Sequence, residues 1–188
     1  MHRQNRCMKL KSLLLAVALT IGVGTQAQTA GKGGNILVAY FSWGGNTEHV
    51  AKFIAGKTGG TLFRITPSTP YPTEYTSCTE VAKAEKEQNA RPAIKDKVAG
   101  WDKYDIVFIG CPVWWWTAPM IINTFTESYS FKGKTVVPFC TYAATYRDET
   151  LAKIAELTSD AKHLKGFGAV NRSTDGIEQW LKEIKVIK

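Results

Sequence analysis

The sequence predicts an α/β domain on a doubly wound parallel sheet of five strands, with helices on both faces. Three observations carry that prediction. Two runs rich in β-branched and aromatic residues, ILVAYF at 36–41 and YDIVFIGC at 104–111, have the composition of central strands buried on both faces. Strand-like and helix-like segments alternate five times after residue 35, the pattern of a parallel sheet joined by right-handed crossovers. Three of the loops that follow the strands concentrate hydroxyl, glycine and aromatic residues, at the edge where such sheets bind ligands.

Residues 1–27 read as a secretory signal peptide rather than part of the fold. Arg3, Arg6, Lys9 and Lys11 precede an apolar stretch at 13–23, and Thr25-Gln26-Ala27 supplies small residues at the positions a signal peptidase reads. The apolar stretch is shorter than the roughly 20 residues of a membrane span. Export to the periplasm or cell envelope follows as the expectation, with no membrane span after the signal is removed. Residues 28–34 form a short linker, and 35–188 the domain.

The first strand ends in SWGGNT, after which Val50, Phe53 and Ile54 recur at helical spacing until Gly59-Gly60. A second strand at 61–65 leads into TPSTPYP, whose three prolines forbid regular structure. A largely polar helix at 75–89 is broken by Arg91-Pro92, and a connector at 93–102 precedes the third strand at 104–111. The rest reads as a helix from Pro119 to Tyr129, a strand at 135–140, a helix at 147–157, a strand at 167–170, and a helix at 177–187 capped by Thr174-Asp175.

Net charge and cysteines narrow the function. The chain has 24 basic and 16 acidic residues; without the four basic residues of the signal, 20 remain against 16, a balance of +4. The lysines are scattered, which gives no basic stripe for nucleic acid. Cys78, Cys111 and Cys140 lack metal-ligand spacing and read as buried free thiols, with a Cys111–Cys140 bridge as the alternative in an oxidising compartment. His49 and His163 read as surface residues.

The chemistry lies in the loops. The first, Ser42 to Thr47, turns a strand through two glycines into a helix, so backbone N–H groups and the positive end of a helix dipole converge on one point suited to a phosphate. It has no lysine and no GxGxxG, which excludes the nucleoside triphosphate and dinucleotide loops and leaves a phosphate monoester held by neutral donors. The second, CPVWWWTAP, places Trp114, Trp115 and Trp116 directly after a buried strand; on an extended segment they alternate sides, so at least one faces ligand or solvent. The third adds Tyr142 and Tyr146.

SWGGNT after a strand, PVWWWTAPM after the third strand, and PYPTEY with AKAEKEQNARPAI between them resemble the flavodoxin family, in a bacterial subgroup with a long Pro-rich second loop. The resemblance runs from about residue 36 to 140. It implies strand order 2-1-3-4-5 and FMN at the point where the winding reverses, a placement already general for flavodoxins. It implies that Ser42, Trp43, Gly44, Gly45, Asn46 and Thr47 hold the FMN phosphate. Pro112, Val113, Trp114, Trp115 and Trp116, and the stretch from Thr141 through Tyr142 and Ala143 to Tyr146, then flank the flavin ring. The sequence departs from the family at Gly44, where relatives commonly have Thr, and in the third loop, TYAATYRDE, where they have Ser and several Gly.

The function so implied is that of an exported FMN-binding electron carrier, with redox proteins or a small electron acceptor as partners. The alternatives on the same fold are an FMN-dependent NAD(P)H or quinone oxidoreductase and a flavin-free binding protein. No metal ligands and no catalytic residues stand out.

Overall fold

The computed structural model describes residues 35–188, so the expected signal peptide and linker lie outside the described residues. Its elements are β1 (Ile36–Tyr40), α1 (Asn46–Thr58), β2 (Thr61–Arg64), α2 (Tyr75–Glu87), β3 (Ile106–Pro112), α3 (Met120–Glu127), β4 (Thr135–Tyr142), α4 (Arg147–Leu157), β5 (Lys162–His163), β6 (Phe167–Val170) and α5 (Ile177–Glu183). All strand pairs are parallel in the order β2-β1-β3-β4-β5, and β6 also pairs with β4. No described helix is long and apolar enough to cross a membrane.

Both faces of the central strands are buried, which is why their sequences read as continuous apolar runs. Val38, Tyr40, Phe108, Val137 and Phe139 pack with Val50 and Ile54 of α1 and with Trp180 and Leu181 of α5. Leu37, Ala39, Val107, Ile109 and Val136 point the other way, to Cys78 of α2, Ile121, Ile122 and Phe125 of α3, and Ile154 of α4. The sheet is therefore wound on both sides, as the alternation predicts.

The single last strand expected at 167–170 is preceded by a second piece, β5, so the fifth position of the sheet is split. Pro138 explains the split. The carbonyls of Lys134, Val136 and Tyr142 accept from the N–H groups of Lys162, Leu164 and Asn171, so the even-numbered residues of β4 face the outer strand. Pro138 belongs to that series and has no N–H to donate, which interrupts the ladder from its own side. Gly166 fills the gap, and a Cβ there would lie 2.9 Å from the Pro138 carbonyl oxygen.

Element ends differ from expectation for local reasons. Tyr104 closes a short 3-10 helix at Trp101–Lys103, so β3 begins at Ile106 and runs on through Pro112. β4 likewise continues to Tyr142. α5 starts at Ile177 as expected, but after Gly176 at φ 77° and without the Thr174-Asp175 cap, since Ser173 and Asp175 bond to each other; it ends at Glu183 rather than at 187. Cys111 and Cys140 are in-register neighbours on β3 and β4, and they and Cys78 are buried free thiols. Burial pushes the Cys140 thiol up to about 12 and the Cys111 thiol well above its usual value. His163 lies in β5 with Nε2 2.9 Å from the Thr158 hydroxyl, while His49 is exposed on α1.

Gly110 is the tightest point of the sheet. It sits opposite Phe139 in the β3–β4 register, and a Cβ on it would overlap the Phe139 ring. Gly110→Ala is expected to lower stability by about 1 to 3 kcal/mol through overpacking. Chemical denaturation of Gly110→Ala, Phe139→Leu and the double variant checks this: the two changes should be strongly non-additive, because the smaller side chain removes the clash.

Candidate functional site

β1, β3 and β4 end side by side, and the loops after them meet. The first loop leaves β1 through Phe41, whose N–H donates to the Gly110 carbonyl at 2.9 Å. Ser42 follows, buried, and its Oγ accepts from the Gly45 N–H at 3.1 Å, so its own O–H is left to donate outward. Gly45 is the N-cap of α1 at φ 86°, a left-handed position that glycine takes without strain, and no side chain caps the helix. A Cβ built on Gly44 or Gly45 meets nothing within 4 Å, so open space lies over the loop where an anion would approach. Uncapped first-turn N–H groups, the helix dipole and a free hydroxyl fit a phosphate monoester.

The loop is held from behind. Arg64, at the end of β2, donates to the Ser42 carbonyl at 3.1 Å and pairs with Glu48 at 2.7 Å, and Lys52 pairs with the same carboxylate at 2.6 Å. The Lys52 hydrogen bond is the leading cause that lowers the Glu48 carboxyl below its usual range. Trp43 Nε1 donates to the Pro72 carbonyl at 2.8 Å, tying the first loop to the Pro-rich one. Thr47, which is buried, places Oγ1 2.7 Å from Thr141 Oγ1 and so joins α1 to the end of β4.

The three tryptophans are not on an extended segment. Trp114 and Thr117 exchange both backbone hydrogen bonds, at 2.9 and 3.1 Å, and close a tight turn with Trp115 and Trp116 at its centre. Both central residues have positive φ, 46° and 71°, the signature of a type I′ turn that ordinarily selects Asn and Gly. Their side chains consequently diverge by the geometry of the turn rather than by strand alternation. Trp114 meets Phe41 and Tyr71 edge-on at 5.2 and 5.0 Å. Trp115 Nε1 donates to the Thr79 carbonyl of α2 at 2.8 Å. Trp116 is 56% exposed and lies 6.0 Å from Tyr146. Below them the Tyr71 hydroxyl donates to Glu85 at 2.8 Å, and burial raises both groups above their usual values.

The third loop leaves β4 at Tyr142, whose carbonyl accepts from the Asn171 N–H at 2.7 Å. Its left-handed residue is Tyr146, at φ 62° as the N-cap of α4, while Ala143 and Ala144 are exposed and keep ordinary φ. The second and third loops are joined where the Val113 N–H donates to the Thr141 carbonyl at 3.0 Å.

These loops enclose one cleft of about 610 Å³, within the range of small-molecule sites. Of the sequence-expected site residues, Ser42, Trp43, Gly44, Asn46, Thr47, Pro112, Val113, Trp114, Trp115, Trp116, Thr141, Tyr142, Ala143 and Tyr146 line it; Gly45 shapes the loop without lining the cleft. Sequence reasoning missed a whole wall, Tyr75, Cys78, Thr79 and Ala82 of α2, and also Asn171; Ala144 and Thr145, inside the third loop expected at 141–146, line the cleft as well. The signal was a stripe at i, i+3, i+4 and i+7 in a helix that otherwise reads as polar. Among the described residues the lining contains no carboxylate, imidazole, ammonium or guanidinium.

A family model described as flavodoxin matches residues 35–184. The chain belongs to the flavodoxin family. Among solved structures, this flavodoxin is 38% identical to a protein of Bacteroides eggerthii named a flavoprotein, with TM-score 0.74 over 82% of this chain and 99% of that one. A second such protein, from Bacteroides uniformis, is 35% identical with TM-score 0.70 over 80% and 99%. A flavoprotein of Lactobacillus acidophilus, solved in complex with FMN, shares the fold at 20% identity and TM-score 0.67 over 78% and 98%. No curated protein matches the sequence.

In this flavodoxin the left-handed conformation costs about 1 to 2 kcal/mol at each of Trp115 and Trp116. Trp116→Gly should therefore be more stable than Trp116→Ala by about 1 kcal/mol, although glycine is the more flexible residue in the unfolded chain. Urea denaturation of the two variants checks the sign; at a position of ordinary φ it would be reversed.

Proposed function

We propose that the chain is an FMN-binding electron carrier that works outside the cytoplasm. The observation that carries the flavin reading is one cleft with a neutral anion-binding loop at one end and aromatic walls at the other. The phosphate would be held by the amides at the start of α1, the Ser42 hydroxyl and the Asn46 side chain. The ring would lie between the Trp115–Trp116 turn and the third loop, against Tyr142 and Tyr146. Bound FMN supplies one- and two-electron transfer, and the protein supplies binding, orientation and electrostatics.

An electron carrier is favoured over a reductase by the chemistry of the lining. A reductase that moves protons to and from a substrate is served by a positioned acid or base. The described lining offers tyrosine and cysteine alone among titratable groups, and burial raises the Cys78 thiol above its usual value. Electron transfer through an exposed aromatic edge asks for neither acid nor base. Export rests on the basic and apolar pattern of residues 3–23 followed by a small-residue cleavage site.

Titration of the mature chain with FMN and with riboflavin tests the proposal. FMN is expected to bind with a changed visible spectrum and at least about ten-fold more tightly than riboflavin, because charge-assisted bonds at the loop act on the phosphate alone. Equal affinities would remove the loop from the site, and absence of any spectral change would remove the flavin. Protein recovered from the cell envelope should start near Gln28; retention of residues 1–27 would overturn export.

A further inference from the structure

We infer that Lys86 is a positioning residue that locks the Trp115–Trp116 turn and thereby sets the aromatic wall of the cleft; the inference rests on the reading of that cleft as the FMN site. Lys86 stands near the C-terminal end of α2 and does not line the cleft itself. Its Nζ donates to the Trp115 carbonyl at 2.7 Å and lies 4.9 Å from the centre of the Trp116 ring. Lys83, three residues earlier, pairs with Glu87 in the ordinary manner of an exposed helix. Lys86 directs its hydrogen bond and its cation–π contact to the turn instead.

The turn needs such a device. The peptide between Trp115 and Trp116 joins two residues in left-handed conformations that neither favours. The Trp114–Thr117 bonds close the turn but do not engage the Trp115 carbonyl. An ammonium on that carbonyl fixes the orientation of the central peptide, and the same ammonium over the Trp116 indole fixes the side chain that follows. Trp115 Nε1 on Thr79 completes the hold, so one helix restrains the backbone and both rings at the turn's centre. With 56% of Trp116 exposed, burial alone does not orient it.

Lys86→Met keeps the aliphatic stem and removes the charge and donors, whereas Lys86→Arg keeps both. Near-UV circular dichroism of the flavin-free proteins reads the packing of the indoles, and titration with FMN and riboflavin reads the cleft. Lys86→Met should lose part of the near-UV tryptophan signal with an unchanged far-UV spectrum. It should bind both flavins more weakly by the same factor, roughly five- to thirty-fold, since the turn meets the ring and not the phosphate. Lys86→Arg should restore both readouts toward the parent. A Lys86→Met protein with the parent's near-UV spectrum and the parent's affinities overturns the inference, as does an arginine variant no better than methionine. A parent that binds neither flavin overturns the cofactor reading; the near-UV comparison then decides whether Lys86 holds the turn.

Discussion

Parallel pairing is the constraint on which the molecule depends. Strands that all run the same way deliver their carboxyl ends to one edge; Tyr40, the end of β1, is in register with Gly110 and Phe139, and β3 and β4 run on to Pro112 and Tyr142 beside it. Both faces of these strands are consumed by packing, so recognition is left to whatever emerges at the edge. The loops there are short and joined to one another. Thr47 meets Thr141, the Val113 N–H donates to Thr141, and Trp43 reaches the Pro-rich loop, so the walls of the cleft are tied to one another and to the sheet.

The cleft separates charge from shape. Its lining is neutral, and the cations that support the first loop, Arg64 and Lys52, are held behind it on Glu48. Anion binding is left to amides and a hydroxyl, which are directional and carry no net charge. Ring-end geometry comes instead from a turn whose two central residues resist their conformation. Such strain persists where surrounding contacts over-determine it; here those contacts come from α2, a helix remote in sequence from the turn.

Much of the fold was legible because the central strands are uninterrupted apolar runs, and the glycine loop draws its meaning from the tryptophan-rich loop that follows the third strand. β5 was not legible: a two-residue strand has no periodicity, and the proline that splits the outer strand belongs to its neighbour. The tryptophan run reads as extended in the sequence because Trp115 and Trp116 are neither the Asn nor the Gly that marks a type I′ turn. Tertiary contacts impose that conformation, and no local rule anticipates them. In the third loop Ala143 and Ala144 stand where relatives have Gly, and the left-handed conformation is taken by Tyr146. The α2 wall escaped notice because Tyr75, Cys78, Thr79 and Ala82 share no chemistry, and only helical spacing relates them.

Pro138 has a consequence for the company the protein keeps. An edge strand with an unbroken row of free amides and carbonyls is a template on which another chain can build a sheet. The outer edge here is divided into pieces of two and four residues, with Gly166 drawn in against Pro138 and Arg147 lying over Gly168. An approaching strand would find no continuous ladder to extend. A residue that costs the sheet one hydrogen bond thus also makes that edge a poor template for a further strand.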